Sequence, residues 1–150
     1  RRSDTRRRGA SMASGRMLSK KELTERLTKK GASPDDAAET ADWLEDLGAV
    51  DDTAYAGVIV RHYGAMGCGA GRVRQELHRR GVPKELWDEA LKQLPPPQEA
   101  IEKFLCAKLR GRPLTPEDSR RLAAALQRRG FSWQDIRPIL NGLGQEIDET

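Results

Sequence analysis

Three glycines at alternate positions, Gly67, Gly69 and Gly71, run straight into a cluster of arginines, Arg72, Arg74, Arg79 and Arg80. Glycines ahead of a helix are what a phosphate cradle requires, because backbone N–H groups must reach an anion unobstructed. No strand precedes these glycines and no Gly-Lys-Ser/Thr follows them, so a nucleotide site is not indicated. The plainer reading is a flexible turn between helices, helped by Gly64, with the next helix N-terminus open to a phosphate or carboxylate. His62, His78, Cys68 and Cys106 lack zinc-ligand spacing. His62 falls on an apolar stripe and reads as a satisfied core or half-buried residue. The acid pairs at 35–36, 45–46 and 51–52 read as capping or solvent-facing residues, and general acid–base work would need a pocket that cannot be placed. The expectation is no catalytic residue, no metal and no cofactor.

The arginines belong to a pattern that occurs three times. Leu23, Leu27, Lys29, Lys30, Gly31 is one copy; Val73, Leu77, Arg79, Arg80, Gly81 and Leu122, Leu126, Arg128, Arg129, Gly130 are the others. In each, an apolar pair on one helix face precedes two cations and a glycine suited to end the helix. The glycines are 50 and 49 residues apart, a period that signals stacked helical units. Ala37, Trp87 and Ile136 lie six residues after their glycine, Ala41, Leu91 and Leu140 ten after, and Leu44, Leu94 and Leu143 thirteen after. A full unit is therefore a lead helix, a basic helix and a closing helix.

The elements that position the cations carry clear signals. Ser19 and Glu22 form a capping box. Ser33-Pro34 and Thr115-Pro116 each combine a cap, a first-turn proline and following acids. Asp51 and Asp52 open a helix whose stripe is Tyr55, Val58, Ile59, His62, Tyr63 and Met66. Pro95-Pro96-Pro97 marks a unit boundary, and Ser132 caps a last helix in which Pro138 predicts a kink or an early break. The expected organisation is a flexible basic arm over 1–15, a first repeat over 16–50 with a weak or missing lead helix, repeats over 51–94 and 95–144, and an acidic tail over 145–150.

Composition sets the remaining bounds. Of 150 residues, 37% are hydrophobic and 33% charged, which suits several small cores in series rather than one large one. The fold expected is all-α, an elongated, curved array of three tandem three-helix repeats. The net charge of +4 is carried by residues 1–9, with five arginines and one aspartate; the remainder balances 22 cations against 22 acids. A general nucleic-acid binder would be more uniformly basic. Two isolated cysteines, no apolar run near 18 residues and no signal-peptide core suggest a reducing, cytoplasmic setting, and residue 1 is Arg, which reads as a start downstream of the natural one.

The run Gly48-Ala49-Val50-Asp51-Asp52, then Tyr55-Ala56, Gly67-Cys68-Gly69, Arg72-Val73, Glu76-Leu77 and Arg80-Gly81, resembles the signature of the RecX family. Leu18-Ser19-Lys20-Lys21-Glu22-Leu23 is similar to that family's first-repeat motif. The resemblance spans about residues 16–143. It implies a non-enzymatic bacterial regulator that lies along the groove of the RecA filament and restrains strand exchange, ATP hydrolysis and co-protease activity. Two positions depart from the family pattern: the window before Ser19 lacks its apolar helix, and Gly71 stands where a basic or bulky residue is usual.

The partner surface expected centres on Arg72, Arg74, Arg79 and Arg80, extended by Arg61 and flanked by Lys29, Lys30, Arg128 and Arg129. Each cation pair also suits the C-terminal dipole of its own helix. A monomer gripping a RecA filament is the first reading. Direct DNA binding through the basic stripe and a general helical protein-binding scaffold are the alternatives.

Overall fold

The computed structural model describes the backbone of residues 2–149 and the side chains of residues 2–144. All regular structure among the described residues is helical: α1 (Arg2–Gly15), α2 (Lys20–Lys29), α3 (Pro34–Asp46), α4 (Asp52–Ala65), α5 (Ala70–Arg79), a 3-10 turn (Lys84–Leu86) leading into α6 (Trp87–Leu91), α7 (Pro97–Leu109), α8 (Pro116–Arg128) and α9 (Trp133–Glu149). The helices fall into three sets of three, with α2, α5 and α8 as the basic helices.

The capping signals act as their chemistry requires. Ser19 Oγ accepts from the Glu22 amide at 3.0 Å and Glu22 Oε1 accepts from the Ser19 amide at 3.0 Å, closing the box. Ser33 and Thr115 accept from the Asp36 and Asp118 amides. Asp51 accepts from the Ala54 amide and starts α4. Pro97 takes the first position of α7, where a missing N–H costs nothing. After Pro138, α9 runs on to Glu149 instead of breaking.

The chain forms two compact units that cut across the second set of helices. One comprises residues up to 59 together with 76–90; the other comprises 60–75 and everything from 91. The first unit's core holds Leu18, Leu23, Leu27, Ala37, Ala41, Leu44 and Val50. The second unit's core is built on Ile101, Leu105, Leu122, Leu126, Ile136 and Leu140.

Residues 2–15 are not a flexible arm, and the first set does not lack its lead helix. The chain there forms α1, which packs on α2 and α3. The sequence conceals it because cations, not an apolar stripe, anchor it. Arg2 and Arg6 reach Glu39, Arg6 lies 4.7 Å over the Trp43 ring, and Arg8 Nη1 donates to the Lys30 carbonyl at 2.9 Å. Gly9 allows the close approach: a Cβ there would stand 2.7 Å from Thr40 Cγ2 and 3.1 Å from Leu44 Cδ1. The acidic tail expected over 145–150 lies outside the residues whose side chains are described.

On α4 the buried face is displaced from the expected stripe. Asp52, Tyr55, Ala56, Gly57, Ile59 and Val60 are buried, whereas Val58, His62 and Met66 are exposed. The helix is apolar on most sides, so periodicity alone does not choose its inner face. His62 meets Tyr63 edge-on at 5.1 Å rather than entering a core.

Candidate partner-binding surface

The C-terminal turns of α2, α5 and α8 present the three cation pairs. The first member of each pair, Lys29, Arg79 and Arg128, is exposed on the last helical residue. The second members of the later two pairs turn inward. Arg80 is 23% exposed; its Nε donates to Glu76 at 3.1 Å and its Nη1 donates to Tyr55 Oη at 3.1 Å. Arg129 lies 4.8 Å over the Phe104 ring and donates to the Met66 carbonyl at 3.2 Å. Lys30 stays exposed. The later two pairs are therefore a division of labour, and the side chains of Arg80 and Arg129 belong as much to packing as to any surface.

Arg72, Arg74 and Arg61 are exposed, with Arg61 Nη1 donating to Gln93 Oε1. In the first unit Arg79 and Arg80 both bond to Glu76, a residue only 6% exposed. In the second unit the end of α8 sits against Arg72. Arg79 thus shares Glu76 with Arg80, Arg72 meets the end of α8, and Lys30 gives its carbonyl to Arg8 of α1.

The glycine trio has a structural task that the sequence reading missed. Gly69 N–H donates to the Arg129 carbonyl at 2.8 Å, and Gly71 N–H donates to the Gly130 carbonyl at 3.0 Å. The last carbonyls of α8 thereby satisfy amides at the start of α5, joining two helices head to tail. Neither the flexible turn nor an N-terminus open to an anion describes this segment. A Cβ at Gly71 would lie 2.9 Å from the Gly130 oxygen, which explains a glycine there.

The first unit contains a matching joint. Ser19 Oγ, at the position equivalent to Gly69, donates to the Arg80 carbonyl, the residue equivalent to Arg129. Its signal was available: Ser19 and Gly69 each stand twelve residues before their glycine. Lys30, the remaining equivalent, gives its carbonyl to Arg8 instead. Asp52 supports the Ser19 joint by accepting from the Lys20 amide at 2.9 Å. Burial pushes the Asp52 carboxyl above the usual range, against that hydrogen bond, which pulls it down. The Lys20 ammonium, held by Asp42 and then Glu45, is raised.

Among the described residues, no group of three or more His, Cys, Asp or Glu side chains is placed to hold a metal. No helix among them is long and apolar enough to cross a membrane. A concavity of about 1090 Å³ lies along α7 and α9, lined by Leu105, Leu109, Leu114, Ile139 and Leu143, and none of the nine predicted cations lines it.

The chain is 34% identical over 123 residues to Regulatory protein RecX of Chromohalobacter salexigens, covering 81% of each chain. It is 36% identical over 127 residues to Regulatory protein RecX of Mycolicibacterium smegmatis, covering 78% of this chain and 67% of that one. The chain belongs to the RecX family. The description of the RecX second three-helix domain matches residues 51–91, which contain α4, α5 and α6. The crystal structure of RecX from Lactobacillus salivarius superposes with a TM-score of 0.77 at 23% identity, covering 99% of both chains, and so shares the fold. RecX relatives are named as regulatory proteins, not as enzymes.

Proposed function

We propose that this chain binds the RecA nucleoprotein filament along its groove and restrains recombination, ATP turnover and co-protease activity. Family membership supports the class of partner. The observation that carries the surface assignment is the repeated exposed cation, Lys29, Arg79 and Arg128, at equivalent helix ends, with Arg61, Arg72 and Arg74 in addition. Repeats over 16–50, 51–94 and 95–144 each supply one modest contact, and their covalent linkage turns these into avidity. A grip on neighbouring subunits opposes the movements that ATP turnover requires. The reading places a monomer in the cytoplasm, where such filaments assemble.

Charge reversal tests the reading, with Arg80 and Arg129 left intact because both also pack inward. The variant Arg72→Glu/Arg74→Glu/Arg79→Glu/Arg128→Glu is expected to keep wild-type helicity and lose inhibition of RecA ATPase by about tenfold or more in the concentration required. Undiminished inhibition by the folded variant rejects the surface. Titration of naked DNA at two salt concentrations separates the direct DNA reading, which requires a log–log slope of about −0.7 to −0.9 per phosphate contacted.

A further inference from the structure

Helix α1 is attached by little apolar burial and several arginine contacts. Only Thr5 and Gly9 are buried on it, with Ala10, Met12 and Ala13 half-buried against the core. Ionic and polar attachments join these: Arg2 and Arg6 to Glu39, Arg6 over Trp43, and Arg8 to the Lys30 carbonyl. Arg6 Nε is buried with no hydrogen-bond partner. Arg2 and Glu39 side chains are 63% and 43% exposed, a setting in which ion pairs contribute little and salt weakens them further. Helix α1 has 14 residues including Gly9, Gly15, Ser11 and Ser14, so it has little helicity of its own once undocked. Beneath it lie Thr40, Leu44 and Leu27, the side chains that a Cβ on Gly9 would meet.

We propose that α1 is a releasable cover and a phosphate-binding segment at once. Its arginines exchange Glu39 and the Lys30 carbonyl for the phosphates of a polyanion, and the exchange uncovers the α2–α3 face. The four cations Arg2, Arg6, Arg7 and Arg8 sit on one short helix, and Asp4 is its single acid. Detached, the segment carries its full charge, whereas docked it shares that charge with Glu39. Anion binding and undocking are therefore linked, each favouring the other.

The test reads the uncovered face directly. A chain of residues 1–150 carrying Thr40→Cys, with Cys68→Ser and Cys106→Ser, places its single thiol under Gly9. Thiol labelling is expected to accelerate about two- to threefold between about 0.05 M and 0.5 M NaCl as the Debye length shortens and the exposed pairs weaken. Glu39→Gln in that background should raise the low-salt rate several-fold and flatten the salt response. At low salt, a short single-stranded oligonucleotide should accelerate labelling, and inorganic polyphosphate is the second probe. Acceleration by both assigns the segment to phosphate chains generally, and acceleration by the oligonucleotide alone assigns it to nucleic acid. No response to salt or to either probe overturns the proposal. So does an equal response in a control chain with Ala123→Cys in α8, because that reports general loosening and not release of α1.

Discussion

The two head-to-tail joints perform one task with different materials. In the first unit a hydroxyl, Ser19 Oγ, meets the Arg80 carbonyl, while Lys21 lays its aliphatic stem against Gly81. In the second unit two backbone amides, of Gly69 and Gly71, meet the Arg129 and Gly130 carbonyls with no side chain between. Lys21 and Gly71 occupy the same place, ten residues before their glycines. A side-chain donor stands off its acceptor and leaves room for a neighbouring stem. A backbone donor brings main chain against main chain, and then both surfaces must be glycine. The difference teaches that a duplicated unit can retain a contact while changing which atoms make it.

Substitution at the terminal glycines should separate the joints most strongly. Gly130 has φ 102°, and a Cβ on it would stand 2.3 Å from the Arg72 amide nitrogen, backbone that cannot step aside. Gly130→Ala is expected to cost about 3 kcal/mol or more in urea unfolding. Gly81→Ala meets the Lys21 side chain first, at 2.8 Å, and should cost about 1–2 kcal/mol. Equal losses would show that the joints do not differ as described. Ser19→Ala comes next, at about 1–2 kcal/mol, because it removes the cap on α2 and leaves the Arg80 carbonyl without its hydroxyl donor.

The smallest effect concerns Asp52. Its carboxyl is raised in the folded chain, chiefly by burial, so folding favours its protonated form. Its contribution to stability is thus present below the ordinary carboxylate range and is lost as pH rises through that range to the raised value. Asp52→Asn keeps an acceptor for the Lys20 amide without the charge. Its stability should fall less than that of the wild type as pH rises from acidic to neutral, measured by urea midpoints across that interval.

Much of this architecture is legible in the chain. The caps at Ser19, Ser33, Thr115 and Ser132 and the stop at Pro95-Pro96-Pro97 lie where their local chemistry places them, because each acts within one turn of its own helix. Helix α1 was hidden because its anchors are an arginine on a tryptophan and two arginines on a glutamate more than thirty residues away. The inner face of α4 was misplaced because nearly every side of it is apolar. The cation pairs were found, but their division of labour was not. Whether an arginine faces solvent or stacks on Phe104 depends on a partner that no local pattern contains.

Glu76 alters how the middle of the chain looks from a distance. Two guanidinium groups and one carboxylate share that corner of α5, and together they present a single positive charge to anything approaching beyond bonding range. The corresponding positions before Gly31 and Gly130 hold Arg26 and Ala125, which cancel nothing. A map drawn by counting basic letters would therefore overstate the pull of that corner by one charge, and the exposed Arg72 and Arg74, which no such carboxylate among the described residues offsets in bonding range, carry more of the middle repeat's reach than their number suggests.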